Sequence, residues 1–202
     1  MDVGRPWADV MAGARGAVLA TLVQLEAPVT VRALARHAGV SPQGALRLVD
    51  ELATAGVVQV HPAGRSLMVG LNRDHLAAEP LVALVSLRAR LVERICDELV
   101  GWDELAGAWL FGSAARGDGD RDSDIDLLLV AGRSLDSDGW AQRTARLADR
   151  VRAWTGNPVQ LVEHSRRSFA ALVRENNPLA DAIRLEGIPL TPRSRRLLRT
   201  AA

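Results

Sequence analysis

The chain has 202 residues, and its 25 basic side chains against 24 acidic ones leave a formal net charge of only +1 at pH 7. Neither half is basic enough for charge alone to indicate nucleic-acid binding, and the single cysteine, Cys96, excludes an internal disulfide. No apolar run reaches the length of a membrane span and no signal peptide is recognisable, so we expect a cytoplasmic protein without membrane contact.

Residues 1–73 are predicted to form a helix-turn-helix domain that ends in a β-hairpin. Apolar residues at helical spacing predict a first helix over residues 16–26. Thr30 is a candidate N-cap for a short second helix. Ser41, followed by a proline at the first helical position, is a candidate N-cap for a third helix that runs to Ala55. The pattern then becomes extended on both sides of a Pro-Ala-Gly turn, which predicts the hairpin.

This segment resembles the winged helix-turn-helix domains of bacterial regulators, with the third helix as the recognition helix. The resemblance implies that Gln43 and Arg47 reach the major groove of double-stranded DNA, while arginines outside this helix contact phosphates. Winged helices also serve as dimerisation or protein-docking modules, so this alternative stays open. The candidate DNA-binding residues are Arg32, Ser41, Gln43, Arg47 and Arg65.

Residues 74–105 are predicted to form a connecting helix, because leucine and isoleucine recur at helical spacing with arginines between them. The apolar stripe could pack on either flanking domain or on a second subunit. A homodimer would suit a winged helix that reads a two-fold symmetric operator, although the sequence does not require one.

The following segment combines a glycine-serine bend with two closely spaced acids. An apolar run breaks at Gly112-Ser113, and Asp124 and Asp126 later flank one isoleucine at the start of a strand, so their carboxylates point to one face. Two such carboxylates repel by roughly 4 kcal/mol at an effective dielectric near 20, which calls for a shared proton or a divalent cation, Mg²⁺ or Mn²⁺. The bend lets backbone amides approach a phosphate, so it favours the cation and indicates phosphoryl or nucleotidyl transfer.

The aspartate-rich loop before the strand has two simpler interpretations. Alternate aspartates from Asp118 to Asp124 are also typical of a calcium loop, but an EF-hand needs a glycine where Ser123 stands and a glutamate where Leu129 stands. A solvated surface loop would leave the two acids at the head of the strand unexplained.

The same segment resembles the DNA polymerase β-like nucleotidyltransferases, most closely their minimal nucleotidyltransferase branch. The resemblance rests on three motifs: Gly112-Ser113, Arg116-Gly117 and Ser123-Asp124-Ile125-Asp126-Leu127. It implies that Asp124 and Asp126 are catalytic metal ligands. It also implies a nucleoside triphosphate site formed by Gly112, Ser113, Arg116 and Ser123. Relatives of this type are often antitoxins that modify a partner protein or toxins that modify transfer RNA.

The resemblance covers residues 106–192 and implies a small mixed sheet with flanking helices. Composition predicts helices over residues 134–154, 165–176 and 178–185 and strands over residues 159–163 and 188–190. Residues 193–202 are predicted to be a solvated basic tail. The whole chain is thus predicted to be an α+β protein, with an N-terminal winged helix-turn-helix and a C-terminal nucleotidyltransferase fold.

One position departs from the pattern that the resemblance implies. Active relatives bring a third carboxylate from a later strand, and the matching residue here is Gln160. Glutamine offers an oxygen ligand but no negative charge, and it accepts no proton near neutral pH. Glu163 is the nearest acid, yet strand alternation places it on the opposite face from Gln160 unless a bulge intervenes.

Two functions therefore compete at this stage, beside a third interpretation in which both halves are scaffolding for a partner. The first is Mg-dependent transfer of a nucleoside monophosphate from a triphosphate to a hydroxyl of a protein or RNA acceptor, in an autoregulating protein of toxin–antitoxin type that binds DNA. The second is a winged-helix transcriptional regulator whose nucleotidyltransferase-like domain has lost catalysis and senses a nucleotide.

Overall fold

The computed structural model of the protein describes residues 1–132, 135, 137–175 and 177–201. The chain divides into two compact units, which we call the N-terminal unit (Arg5–Leu87) and the C-terminal unit (Met1–Gly4 with Arg88–Ala202). Within the described residues, no helix is both long and apolar enough to cross a membrane.

The N-terminal unit combines helices with a small antiparallel sheet in the strand order β1-β3-β2. Its second and third helices begin as predicted, because the Thr30 hydroxyl accepts a hydrogen bond from the Ala33 amide and the Ser41 hydroxyl accepts one from the Gly44 amide. The elements are a 3-10 turn at Pro6–Asp9, α1 at Gly13–Gln24, β1 at Val29–Thr30, α2 at Val31–Ala38, α3 at Pro42–Thr54, β2 at Val58–Ala63, β3 at Ser66–Leu71 and α4 at Ala78–Val85.

The C-terminal unit is built on a mixed four-stranded sheet in the order β6-β5-β4-β7, in which only the β5–β6 pair is parallel. This confirms the predicted mixed α+β architecture. Its elements are α5 at Leu87–Glu98, β4 at Leu105–Phe111, α6 at Gly112–Arg116, β5 at Ile125–Ala131, α7 at Asp138–Thr155, β6 at Val159–Ser165, α8 at Arg166–Arg174, α9 at Pro178–Leu185, β7 at Ile188–Pro189 and α10 at Pro192–Ala201. The predicted first residue of the helix at 134 and the predicted last residue of the helix at 176 lie outside the described residues.

Helices cover both faces of this sheet. Ile125, Leu127 and Leu129 of β5 are fully buried in a core cluster that includes residues of α5 and α7. Leu128 and Val130 are fully buried in a second cluster with residues of α8, α9 and α10. A central strand that is buried on both faces has a continuous apolar sequence, as β5 does after Asp126.

The connecting helix predicted over residues 74–105 is two helices in the structure. The first, α4, ends at Val85, and the backbone of the next residue, Ser86, leaves the helical region (φ −89°, ψ 10°) before α5 begins at Leu87. The apolar stripe is divided as well, since Ala78 packs in the core of the N-terminal unit while Leu91 and Ile95 pack in that of the C-terminal unit. Periodicity alone could not show that the stripe serves two separate cores.

The basic tail predicted over residues 193–202 forms α10 instead of a solvated end. Ser194 is fully buried, and its hydroxyl donates to the Ala108 carbonyl at 2.8 Å and accepts from the Ala108 amide at 2.9 Å. Leu197 and Leu198 pack against a buried core cluster of the C-terminal unit. The arginines between these positions stay exposed, so the segment is an amphipathic helix whose small and apolar residues face the protein.

Candidate functional site

The two aspartates at the start of β5 lie close together, as the sequence predicts. Asp124 is exposed just before the strand, and Asp126 is half-buried inside it. Burial raises the pKa of the Asp126 carboxyl, the negative charge of Asp124 raises it further, and the Arg116 guanidinium opposes both effects. The pair is therefore a site where additional positive charge would be stabilising.

The glycine-serine bend lies against this carboxylate. Gly112 follows β4 with a positive φ of 67°, and a Cβ at this position would overlap with the Oδ2 atom of Asp126. The neighbouring strands explain the contact, because Phe111 at the end of β4 pairs with Asp126 in the β4–β5 ladder. Only a glycine combines this backbone conformation with such a close approach.

Ser113 begins the turn that leads into the aspartate loop, which we define as residues 117–124. The Ser113 carbonyl accepts hydrogen bonds from the amides of Gly117 at 2.8 Å and Asp118 at 3.2 Å. A Cβ on Gly119 would lie 3.0 Å from the Ser113 hydroxyl oxygen, so the loop folds back over the bend. The bend, the loop and the aspartate pair are thus brought together.

The Arg116 guanidinium donates hydrogen bonds to two carboxylates. Its Nε donates to the Asp118 carboxylate at 3.0 Å and its Nη1 donates to the Glu186 carboxylate at 2.8 Å. These hydrogen bonds raise the pKa of the Arg116 guanidinium, the Asp118 bond most. In this arrangement Arg116 holds the aspartate loop, while its contact with a phosphate stays a prediction.

Ser123 also closes the loop. Its hydroxyl donates to the Asp120 carboxylate at 2.8 Å and accepts from the Asp120 amide at 3.0 Å. The Asp120 carboxylate accepts in addition from the Asp122 amide at 3.1 Å. These bonds lower the pKa of the Asp120 carboxyl, with the Ser123 hydroxyl as the largest cause. A direct role of Ser123 in nucleotide binding stays a prediction.

Two residues that the sequence did not single out support the site: Asn157 holds the aspartate loop, and Arg88 holds α6 before it. Asn157 is fully buried, and its Nδ2 donates to the carbonyls of Ser123 at 2.9 Å and Arg121 at 3.3 Å. Arg88 of α5 donates to the carbonyls of Ala114, at 3.0 Å, and Ala115. The Asn-Pro dipeptide before β6 was visible in the sequence, but nothing local showed which backbone groups its side chain would satisfy.

Gln160 and Glu163 occupy opposite faces of β6. Gln160 pairs with Asp126 in the parallel β5–β6 ladder, so it lies beside the aspartate pair at the position where a third acid was expected. Glu163 accepts a hydrogen bond from the indole nitrogen of Trp140, which is buried on the other face with α7. The β5–β6 ladder contains no bulge, so Glu163 stays on the face of β6 that is opposite Gln160.

Among the described residues, no group of three or more acidic, histidine or cysteine side chains is arranged to hold a metal ion. The donor set at the site is therefore two carboxylates, with the carbonyl oxygen of Gln160 on the adjacent strand. Such oxygen donors suit a hard divalent cation that shares its shell with phosphate oxygens.

In the N-terminal unit, the predicted DNA-binding residues are all exposed. Gln43 and Arg47 lie one turn apart on α3, and Arg47 is paired with Glu51 at 3.7 Å. Arg32 lies in the first turn of α2, and Arg65 lies between β2 and β3. Ser41 acts as the N-cap of α3.

A family comparison agrees with the site geometry. Residues 93–178 match the polymerase beta nucleotidyltransferase family. This nucleotidyltransferase-like segment runs from α5 to the first residue of α9, so it contains the glycine-serine bend, the aspartate pair and Gln160. It covers less than half of the chain, and the N-terminal unit lies outside it.

Several solved structures are similar to the chain at low identity. A toxin–antitoxin complex with AMP-PNP is 23% identical over 55% of this chain and 82% of that one, with a TM-score of 0.38. The toxin–antitoxin MntA-HepT is 20% identical over 56% and 82%, with a TM-score of 0.36. RV1404 from Mycobacterium tuberculosis is 22% identical over 50% and 71%, with a TM-score of 0.36. At such scores the likeness establishes neither a shared fold nor a shared function. No curated protein sequence matches the chain.

Proposed function

We propose that the C-terminal unit is a nucleotidyltransferase that transfers a nucleoside monophosphate from a triphosphate to a hydroxyl of a protein or RNA acceptor. The observation that carries this proposal is the half-buried Asp126, held beside Asp124 and against Gly112 although the carboxylate is destabilised there. A carboxylate whose charged form is disfavoured by burial and by a neighbouring acid is typical of a binding site.

The residues at this site fit a divalent cation, Mg²⁺ or Mn²⁺. Within the described chain, Asp124 and Asp126 form no salt bridge, although the charge of Arg116 acts on Asp126. When bound, such a cation would neutralise charge on the triphosphate and orient it. Gln160 can add a neutral oxygen ligand but cannot accept the proton of an attacking hydroxyl.

The remaining residues of the site would position the nucleotide. Because Gly112 has no side chain, a phosphate can approach its backbone beside the aspartate pair, and the Ser113 hydroxyl can donate to a phosphate oxygen. Arg116 and Ser123 keep the aspartate loop in one conformation through Asp118, Glu186 and Asp120. This prior ordering reduces the entropy that is lost when a nucleotide binds.

The test is labelling of an acceptor in cell extract with each of four labelled triphosphates, in the presence of Mg²⁺ or Mn²⁺. We expect transfer with the native chain and none with Asp126→Asn. Asp122→Asn is the matched control, because Asp122 is an exposed acid of the same loop and participates there through its backbone amide. Absence of labelling with every triphosphate and both cations would contradict transferase activity.

A second function is favoured by one specific observation, namely that a neutral residue, Gln160, stands opposite Asp126. In this case the C-terminal unit binds a nucleotide without transferring it, and the N-terminal unit is a winged helix-turn-helix that binds double-stranded DNA. Binding is less dependent than catalysis on a third carboxylate, since the triphosphate itself supplies ligands to the cation.

The proposed DNA reader is supported by the exposed surface of α3. Gln43 and Arg47 could meet base edges, while Arg32 and Arg65 could meet phosphates. On the upstream region of the protein's own gene, we expect Arg47→Ala to relax sequence selectivity and Arg65→Ala to weaken binding to all sequences alike. A gel-shift titration with and without nucleotide measures both effects. Equal affinity for the upstream region and for unrelated DNA would contradict sequence-selective regulation.

A further inference from the structure

The C-terminal unit contains a polar cavity that is not part of the proposed nucleotidyl-transfer site. Its volume is about 430 Å³. Residues from β4, α8 and α10 line it: Ala106, Arg166, Arg193, Arg196, Leu197 and Thr200.

This cavity, which we call the arginine cavity, lies at the other end of the sheet from the aspartate pair. Asp126 and Gln160 pair near the start of β5 and β6, whereas Arg166 follows the last pair of that ladder. Gln160 lies five residue steps before Ser165, the last residue of that ladder, which corresponds to roughly 17 Å at the rise of a β-strand. The arginine cavity is therefore separate from the aspartate site.

No acid of the described chain forms a salt bridge with the arginines of this cavity. None of its described lining residues is acidic, and within the described chain the guanidinium groups of Arg166, Arg193 and Arg196 form no salt bridge. Arginines elsewhere in the unit do find acids, as Arg116 and Arg184 show. Three like charges around one cavity repel each other, so an anion between them would be stabilising.

Helix α10, which carries Arg193 and Arg196, is held against β4 by buried hydrogen bonds. Ser194 anchors α10 to the backbone of Ala108 in β4 through two buried hydrogen bonds. Arg193 Nη1 donates to the Leu105 carbonyl at 3.3 Å, which leaves its other guanidinium donors available. The arginines are thus presented by packed elements of the unit, which limits the entropy lost on binding.

We propose that the arginine cavity binds a phosphate group. The planar guanidinium fork of arginine matches two phosphate oxygens at once, and three such forks suit a ligand with more than one negative charge. The phosphate could belong to a free oligophosphate or to the phosphodiester backbone of a single-stranded nucleic acid. Both sources present the same chemistry to the cavity.

The test is calorimetric titration of the full chain with inorganic tripolyphosphate in EDTA, which leaves the aspartate site without a divalent cation. The double variant Arg193→Gln/Arg196→Gln removes two charges from the cavity, and Arg195→Gln/Arg199→Gln removes two charges from the same helix outside it. We expect the first variant to lose about tenfold or more in affinity and the second to lose far less. Arg166→Gln, on a different helix, should weaken binding as well.

Equal losses in the two double variants, or no tripolyphosphate binding to the native chain, would overturn the proposal. A fluorescent single-stranded oligonucleotide distinguishes the two sources. If the backbone is the ligand, tripolyphosphate displaces the oligonucleotide, and the cavity variant lowers the salt dependence of binding by about 0.7 per lost contact. If a free oligophosphate is the ligand, the oligonucleotide binds native chain and cavity variant equally.

Discussion

The aspartate loop and the start of β6 lie side by side in the candidate site but differ in what they supply. The loop has hydrogen bonds from Arg116, Ser123 and Asn157, and it leads to two carboxylates that repel each other. The adjacent strand offers Gln160 in the right register but without charge. Under the proposed function, cation binding and activation of an acceptor hydroxyl would depend on separate residues, and only the second would lack an acid.

The largest effect is expected where the glycine-serine bend meets the Asp126 carboxylate of β5. Gly112→Ala places a Cβ against the Asp126 carboxylate in a backbone conformation that disfavours side chains. We expect the free energy of unfolding to fall by about 3 kcal/mol and Mg-dependent nucleotide binding to be lost. Denaturant unfolding and a fluorescent-nucleotide titration measure the two effects. The control is Gly139→Ala in α7, where nothing lies within 4 Å of an added Cβ, and this change should not destabilise the protein. If Gly112→Ala bound the nucleotide with native affinity, the role assigned to the bend would be contradicted.

Asn157→Ala tests whether the support of the loop matters for binding. The change removes the donor of two partly buried hydrogen bonds to the carbonyls of Arg121 and Ser123, which should lower the free energy of unfolding by about 2 kcal/mol. Nucleotide affinity should fall as well, because the loop is no longer held in one conformation. Thr144→Val is the control, since Thr144 is a buried residue of α7 whose hydroxyl bonds, within the described chain, only to the Ala141 carbonyl. Equal nucleotide affinity in the two variants would show that the loop does not need this support.

Gln160→Asp tests the contribution of β6, the strand beside the aspartate loop. A carboxylate beside Asp126 can ligate a cation and accept a proton, so we expect the rate of nucleotidyl transfer at saturating nucleotide to rise by about tenfold or more. Nucleotide affinity should change less than the rate. Glu163→Gln should leave the rate unchanged, because Glu163 lies on the opposite face with Trp140. An unchanged rate in Gln160→Asp would mean that the neutral residue does not limit transfer.

The smallest effect concerns the cation-free protein. Burial and Asp124 raise the pKa of Asp126 in the folded state, so the folded protein favours the protonated form. The resulting stability is present below the ordinary pKa of aspartate, near 3.8, and is lost as pH rises through the raised pKa. Asp126→Asn should therefore raise the midpoint of thermal unfolding in EDTA slightly at pH 7, and this advantage should shrink as the pH falls towards 4. A lower midpoint than native at pH 7 would contradict the destabilised carboxylate.

Local patterns in the sequence by themselves determined much of the fold. Caps at Thr30 and Ser41, the helix over residues 178–185 and the strand around Asp126 depend on neighbours in the sequence, and the structure agrees with them. Strand alternation also placed Gln160 and Glu163 on opposite faces correctly. These features were predictable because a helix turn or a strand pleat is set by residues only a few positions apart.

The tertiary structure alone decided which distant groups meet. Arg116 bonds to Glu186, which is 70 residues away in the sequence. Asn157 bonds to the aspartate loop, which is 34–36 residues away. Such partners leave no trace in local spacing. For the same reason the arginine-rich end was predicted to be solvated, whereas burial of Ser194 makes it a packed helix. Composition shows which side chains are charged, but only the packing of separate elements shows which charges are brought together and which find a partner.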